Sequence, residues 1–160
     1  LPRIKLQTLI QADKKLVFDL SRSIDLHQIS TAHTSEKAIA GKLTGLIELN
    51  ETVTWEARHF GIIQQLTSRI SEYDYPNYFV DEMVSGAFKR FRHEHHFTDD
   101  SGKTLMTDIF DYTSPLGIIG KFVDALFLKR YMINLIKKRN LVIKDFAESR
   151  KQPEVQIITL

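Results

Sequence analysis

From Thr52 to Thr113 the chain alternates apolar and polar residues almost without interruption, and one long amphipathic segment, Ile118 to Glu148, follows at once. Period-two alternation is strand code, because successive side chains on a pleated strand point to opposite faces; the later segment repeats its apolar residues at helical spacing. A sheet this long twists and curls. One helix laid across a curved antiparallel sheet leaves room that side chains need not fill, so this order of elements predicts a cavity. A hydrophobic-ligand container is the leading expectation.

Ahead of this region Ile4, Leu6, Thr8 and Ile10 alternate with Lys5, Gln7 and Leu9, which predicts a first strand ending at Ala12-Asp13. Asp13 is the expected N-cap of a helix over Lys14 to Leu20, and Ser23 that of a second short helix carrying Ile24, Leu26 and Ile29. A weak edge strand is expected over Lys37 to Leu43. Further strands are expected over Thr52 to Phe60, Ile62 to Tyr73, Tyr78 to Ser85, Phe88 to Thr98 and Lys103 to Thr113, punctuated by Gly61, Pro76, Gly86 and the turn Asp99-Asp100-Ser101-Gly102. Such short connections make an antiparallel meander. The expected fold is α+β, with a curved sheet of six or seven strands, two short helices after strand one and a long C-terminal helix over a cavity. Residues 1–150 are expected to form one domain, with 151–160 a tail set off by Lys151-Gln152-Pro153.

The 160 residues suffice for a core without disulfides or structural metal. Against 22 basic residues stand 20 acidic ones, a formal net charge of +2, which gives little attraction for nucleic acid. There is no cysteine, hence no thiolate zinc site and no thiol nucleophile. The chain starts Leu-Pro-Arg, shows no signal-like apolar run and no stretch of eighteen apolar residues, so it reads as soluble, with the cytoplasm as the default location. The glycines of Pro115 to Gly120 lack the spacing and lysine of a phosphate loop and fit a tight strand-to-helix turn, where free helix amides could receive an anionic head group. No cofactor is expected.

The blocks Thr54-Trp55-Glu56-Ala57-Arg58-His59-Phe60-Gly61, Phe91-Arg92-His93-Glu94-His95-His96-Phe97 and Pro115-Leu116-Gly117-Ile118-Ile119-Gly120, with the element order above, resemble the START/SRPBCC superfamily. That helix-grip superfamily includes birch-pollen-allergen-like proteins, lipid-transfer domains and polyketide cyclases, and the blocks are similar to those of a bacterial single-domain branch. The resemblance covers nearly the whole chain and implies a ligand cavity between sheet and last helix. It implies no particular activity, because one fold hosts many functions.

Alternation also assigns faces. Val53, Trp55, Ala57 and His59 share one, Leu66 and Ile70 another with Ile62, Gln64 and Ser68, and Phe79, Asp81 and Met83 a third. Phe91, His93, His95 and Phe97 lie opposite Arg90, Arg92, Glu94 and His96, so two histidines point inward. With a four-residue loop between Thr98 and Lys103, His93 would face Asp108, His95 would face Met106, and Phe91 would face Phe110, with Tyr112 continuing that face. A turn centred on Gly86 would set Phe79 opposite His93 and Asp81 opposite Phe91.

Three roles stay open for Asp81, His93, His95 and Asp108. They could hydrogen-bond one another as buried polar groups do, or orient the polar end of an apolar ligand. A carboxylate-paired histidine could also act as general acid/base in a cyclisation or dehydration, with His93, Asp108 and Asp81 as candidates. His-x-His can bind metal, but a complete ligand shell is not evident, and no metal is expected. The expected ligand-lining set is Trp55, Leu66, Phe79, Asp81, Phe91, His93, His95, Met106, Asp108, Phe110, Tyr112, Phe122, Leu126 and Lys129.

On the last helix Lys129 falls within the apolar arc, either snorkelling to the cavity mouth or meeting a carboxylate inside. Phe127, Leu128 and Tyr131 are expected on its other faces, where they could dock a second copy or touch a membrane transiently. Lys137-Lys138-Arg139 reads as a solvated run. The leading function is thus binding, with transport as an extension, of a hydrophobic or aromatic small molecule such as a lipid or isoprenoid. A cyclase/dehydratase-type lyase and a protein-interaction module are the alternatives, and the module predicts no sizeable cavity.

Overall fold

The computed structural model describes residues 2–114 and 127–149. Seven strands form one antiparallel sheet in the order β1-β7-β6-β5-β4-β3-β2, namely β1 (Arg3–Ile10), β2 (Lys37–Gly41), β3 (Thr52–His59), β4 (Ile62–Asp74), β5 (Tyr78–Ser85), β6 (Arg90–Asp100) and β7 (Lys103–Thr113). The first strand pairs with the last, and the chain crosses to the far edge through α1 (Lys14–Ser21), α2 (Ile24–Ser30) and a single 3-10 turn, Ala32–Thr34. From β3 onward each strand pairs with its neighbour in sequence. The long helix α3 (Lys129–Ser149) packs on β1, α1 and α2. This is the expected helix-grip architecture. The expected start of the long helix, from Ile118, lies outside the described residues.

Local chemistry explains the elements. Asp13 caps α1 by accepting from the Lys15 and Leu16 amides, and Ser23 caps α2 by accepting from the Leu26 amide. The β3–β4 hairpin turns on Phe60 (φ 52°) and Gly61 (φ 75°), and the β6–β7 hairpin on Ser101 (φ 55°) and Gly102 (φ 80°). Both are two-residue turns of left-handed backbone, whose twist matches the strands they join. The longest strand, β4, slips register against β5 at Thr67/Ser68 and again at Ile70/Glu72. Such bulges bend a strand and curl its sheet.

The core fills two regions. Phe18 from α1 packs its ring against those of Tyr73, Tyr75, Phe79 and Phe97 at one end of the concave face. At the other end Phe91, Phe110 and Tyr112 pack with Ile4 and Ile136.

Both expected registers shift. Because Asp100 pairs with Lys103, the β6–β7 connection is two residues long rather than four. His95 therefore faces Asp108, His93 faces Phe110 and Phe91 faces Tyr112. In β5–β6, Phe79 faces His95 and Asp81 faces His93. Each shift is by two residues, which preserves the face of every side chain.

Candidate functional site

The concave face of the sheet and α3 enclose a cavity of about 480 Å³. Trp55, Leu66, Phe79, Phe91 and Phe110 from the strands, Leu128 just before α3, and Met132, Leu135 and Ile136 from α3 supply apolar wall. Polar groups converge on it in two places.

The deeper group is centred on Asp108, which is 1% exposed. His95 lies directly across the ladder and donates from Nδ1 to Asp108 Oδ1 at 2.9 Å, while His93 donates to the same oxygen from Nε2 at 3.0 Å. From α3, Arg139 Nη1 reaches that oxygen at 3.3 Å and Asn140 Nδ2 donates to Oδ2 at 2.7 Å. Arg139 also donates to the Ser21 carbonyl at 3.0 Å, which ties sheet, α1 and α3 together. Burial opposes ionisation of Asp108, but the two histidine hydrogen bonds and the Arg139 charge hold its carboxyl well below the ordinary value. Burial, with the neighbouring His93 and Arg139 charges, pushes His95 well below the usual histidine range despite its bond to Asp108. Burial also lowers Arg139 from its ordinary value, with Asp108 and Asp81 opposing.

Beside this network Asp81 faces His93 across the β5–β6 ladder and lines the cavity. Its Oδ1 is buried with no hydrogen-bond partner among the described residues. Burial raises the Asp81 carboxyl above the ordinary value, against the opposing pull of Ser68, His93, His27 and Arg139.

The second polar group sits where α2 and β3 meet the cavity. His27 donates from Nε2 to Glu36 Oε1 at 2.9 Å and lies over Trp55, ring centroids 4.3 Å apart. Burial works to raise Glu36, but the charge and hydrogen bond of His27 bring it below the ordinary value. His59 Nδ1 and the Tyr131 hydroxyl share a hydrogen bond of 2.6 Å. Burial lowers His59 and raises Tyr131. At the mouth Phe60 and Phe127 are 54% and 55% exposed, their tilted rings 5.3 Å apart between centroids.

His93, His95 and Asp108 present nitrogen and carboxylate atoms within 4.8 Å of one another, donor types that suit zinc or iron. The Arg139 guanidinium contacts the same carboxylate oxygen, so a fixed positive charge stands where a divalent ion would have to bind. The donor set therefore fits an internal ion pair better than a metal.

No protein-family model matches the chain, and no curated protein matches its sequence. Solved structures do. The Thermus thermophilus protein TTHA0849 superposes with a TM-score of 0.76 at 15% identity, covering 94% of this chain and 99% of that one. The Zhui aromatase/cyclase of a Streptomyces species superposes at 0.74 with 12% identity, covering 93% and 94%. Ginseng major latex-like protein 151 from Panax ginseng superposes at 0.67 with 15% identity, covering 91% and 97%. The chain has the helix-grip fold. At these identities the likeness establishes the fold alone.

Within this helix-grip fold the expected site residues divide cleanly. Trp55, Leu66, Phe79, Asp81, Phe91, His93, His95 and Phe110 line the cavity. Asp108 stands one layer behind, held by the two histidines. Met106 and Tyr112 face inward as expected but are wholly buried in the two core regions and do not line the cavity. Phe122 and Leu126 lie outside the described residues. Lys129 is a correction. It is exposed, because the cavity-facing row is Leu128, just ahead of α3, followed by Met132, Leu135 and Arg139 on it, about 100° round the helix from Lys129. Leu128 and Tyr131, expected on outer faces, belong to the cavity wall.

The inward cation is instead Arg139, read in sequence as part of a solvated basic run. Its only sequence signal is its place seven residues after Met132, on the same face. His27, Glu36 and Gln64 were also missed as lining residues. They come from α2, a loop and a strand position that no local pattern links.

Proposed function

We propose that the protein binds an apolar small molecule with aromatic or polycyclic character in the cavity between sheet and α3. The observation that carries this reading is the cavity itself. About 480 Å³ lies within the range of small-molecule sites, and an aromatic and aliphatic wall with a few convergent polar groups is the usual composition of such sites. A protein-interaction module needs no cavity of this size, which counts against that alternative.

Native mass spectrometry of protein purified gently from its own host, followed by denaturing extraction, tests the container. A stoichiometric apolar compound is the expected result. Empty protein that also refuses fluorescent aromatic probes would sink the reading.

The exposed Phe60, Ile62, Ile63 and Phe127 lie at or beside the mouth, with exposed Arg58, Lys129 and Arg130 near them in the chain. Apolar tips flanked by cations suit brief contact with an anionic bilayer during loading or release. The expected behaviour is co-sedimentation with phosphatidylglycerol vesicles and not with phosphatidylcholine vesicles, reduced several-fold in Phe60→Ser. No helix among the described residues is long and apolar enough to cross a membrane.

A second reading, cyclase/dehydratase chemistry, is favoured by one observation. His93 lines the cavity, its Nε2 is tied to the Asp108 carboxylate, and its Nδ1 has no hydrogen bond among the described residues. A histidine so oriented is equipped to move a proton at Nδ1. Under this reading His93→Ala abolishes turnover of a bound polyketide-like substrate and leaves uptake intact; unchanged turnover in that variant would rule it out.

A further inference from the structure

The sheet face that lines the cavity is graded in polarity. Across the β3–β4 ladder Val53 pairs with Ser68, Trp55 with Leu66, Ala57 with Gln64 and His59 with Ile62. Ile62 is exposed at the mouth, whereas Trp55 and Val53 are buried in the core. Going inward, His59 and Gln64 therefore give way to Trp55 and Leu66. His59 and Gln64 both line the cavity and are diagonal neighbours on one face, close enough for their long side chains to meet one small group.

Their polar atoms are open to the cavity. His59 engages the Tyr131 hydroxyl through Nδ1 at 2.6 Å, while its Nε2 and the Gln64 side-chain amide make no hydrogen bond among the described residues. Unlike Asp81 Oδ1, neither group is a sealed unpartnered atom, so a molecule in the cavity can reach both. Burial lowers His59, which keeps the ring neutral near neutral pH, with one nitrogen accepting and the other carrying the proton. A phenol is a stronger acid than a neutral imidazole N–H. Tyr131 therefore donates to Nδ1 and leaves the ring proton on Nε2.

We propose that His59 Nε2 and the Gln64 amide form an oxygen-binding site just inside the mouth, and that the ligand is an uncharged apolar compound with a carbonyl oxygen at one end. The carbonyl accepts from both N–H groups, the apolar body runs inward over Trp55 and Leu66, and Tyr131 is a positioning residue that fixes the His59 tautomer. This inference rests on the container reading and adds the ligand's chemical class and orientation.

Charge and donor count decide among the alternatives. A carboxylate would meet the field of Glu36, which reaches both His59 and Tyr131. It would also find Arg22 and Arg139, the guanidinium groups on the cavity wall, already paired with Asp19 and Asp108. An ammonium group would meet the Nε2 proton rather than a lone pair. A hydroxyl oxygen can accept but must also place its own proton. A carbonyl only accepts, which matches two N–H donors.

Equilibrium dialysis near neutral pH with ethylnaphthalene, acetylnaphthalene and naphthoate, substituted at the same ring carbon, isolates the oxygen because the three share one apolar frame. Ethyl and acetyl groups differ in hydration, so the decisive quantity is the change in the acetyl-to-ethyl affinity ratio between proteins. Relative to wild type, that ratio is expected to fall about fivefold in His59→Leu or Gln64→Leu and about tenfold or more in the double variant, the worth of one and of two net hydrogen bonds. Tyr131→Phe, which only releases the tautomer, gives a smaller fall. Ethylnaphthalene should bind the double variant at least as well as wild type, which reports an intact cavity. The infrared carbonyl band of acetylnaphthalene bound to wild type should lie below its position in hexane, because a hydrogen bond weakens the C=O bond, and it should return toward that position in the double variant.

An unchanged ratio in the variants with both probes bound overturns the proposal and leaves the container standing. A wild-type band at the hexane position does the same and needs no variant. Naphthoate as the tightest binder of the three also overturns it. Failure of every probe to bind wild type removes the container and this site together.

Discussion

Asp108 is a carboxylate 1% exposed, and such a charge is tolerable only when nearly every lone pair is engaged. Four donors from three side-chain types meet it, two from β6 and two from α3. Removing one partner of a buried pair leaves the other uncompensated, so Arg139→Met is expected to cost about 3–5 kcal/mol in urea denaturation. Adding Asp108→Asn should recover part of that loss; a strictly additive double variant would show that the two groups do not act as a pair.

His95 is one source of pH dependence. Its folded-state value is depressed, so the native protein holds it neutral while the unfolded chain takes up a proton near about pH 6.5. Below that point the unfolded state binds more protons, and stability falls by up to about 1.4 kcal/mol per pH unit from this group. Asp108, also depressed, adds its own loss only below about pH 4, where the unfolded carboxyl becomes protonated. Denaturation at about pH 7 and about pH 5 should therefore show an acid loss that is smaller in His95→Gln, and an identical slope in that variant would refute the assignment.

At the level of elements, caps and turns settle where strands and helices begin and how they align. Asp13→Ala removes the acceptor for two amides at the start of α1 and is expected to cost about 1 kcal/mol, read from the shift in denaturation midpoint. Gly41 closes the edge strand β2 with φ at 73°, and a methyl group there would overlap the Thr52 carbonyl of β3. Gly41→Ala should cost about 2 kcal/mol or more, since both backbone angle and space oppose it. Insensitivity at Gly41 would mean that β2 does not hold the edge.

The turn at Ser101-Gly102 illustrates a limit of reading register from sequence. Asp99, Asp100, Ser101 and Gly102 are all good turn residues, yet only the last two turn, because the left-handed pair suits the hairpin twist and lets Asp100 pair with Lys103. The two-residue error kept every side chain on its face and moved His95, rather than His93, opposite Asp108.

For the molecule as a whole, the cavity predicts that filling it abolishes uptake without unfolding. Ala57 is buried and lines it, so Ala57→Phe places a ring into space already present. Probe affinity should drop tenfold or more, roughly 1.4 kcal/mol, with little change in Tm. A loss of about 1–3 kcal/mol of stability would instead mean the ring meets packed atoms and the space is not there. Trp55, the only tryptophan, lines the same wall, so ligand uptake is expected to change its emission.

The order of elements, the capping residues and the shared inward face of His93, His95 and Asp108 were legible in the linear chain; which histidine stands opposite Asp108 was not. They follow from periodicities of two and of 3.6 and from local hydrogen bonding, which neighbours along the chain decide. Arg139 beneath Asp108, Lys129 in solvent, the His27–Glu36 pair over Trp55 and the unpartnered oxygen of Asp81 were not. Each depends on the rotation of α3 and the placement of α2 against a curved sheet, and those are set by packing between elements that no local pattern records.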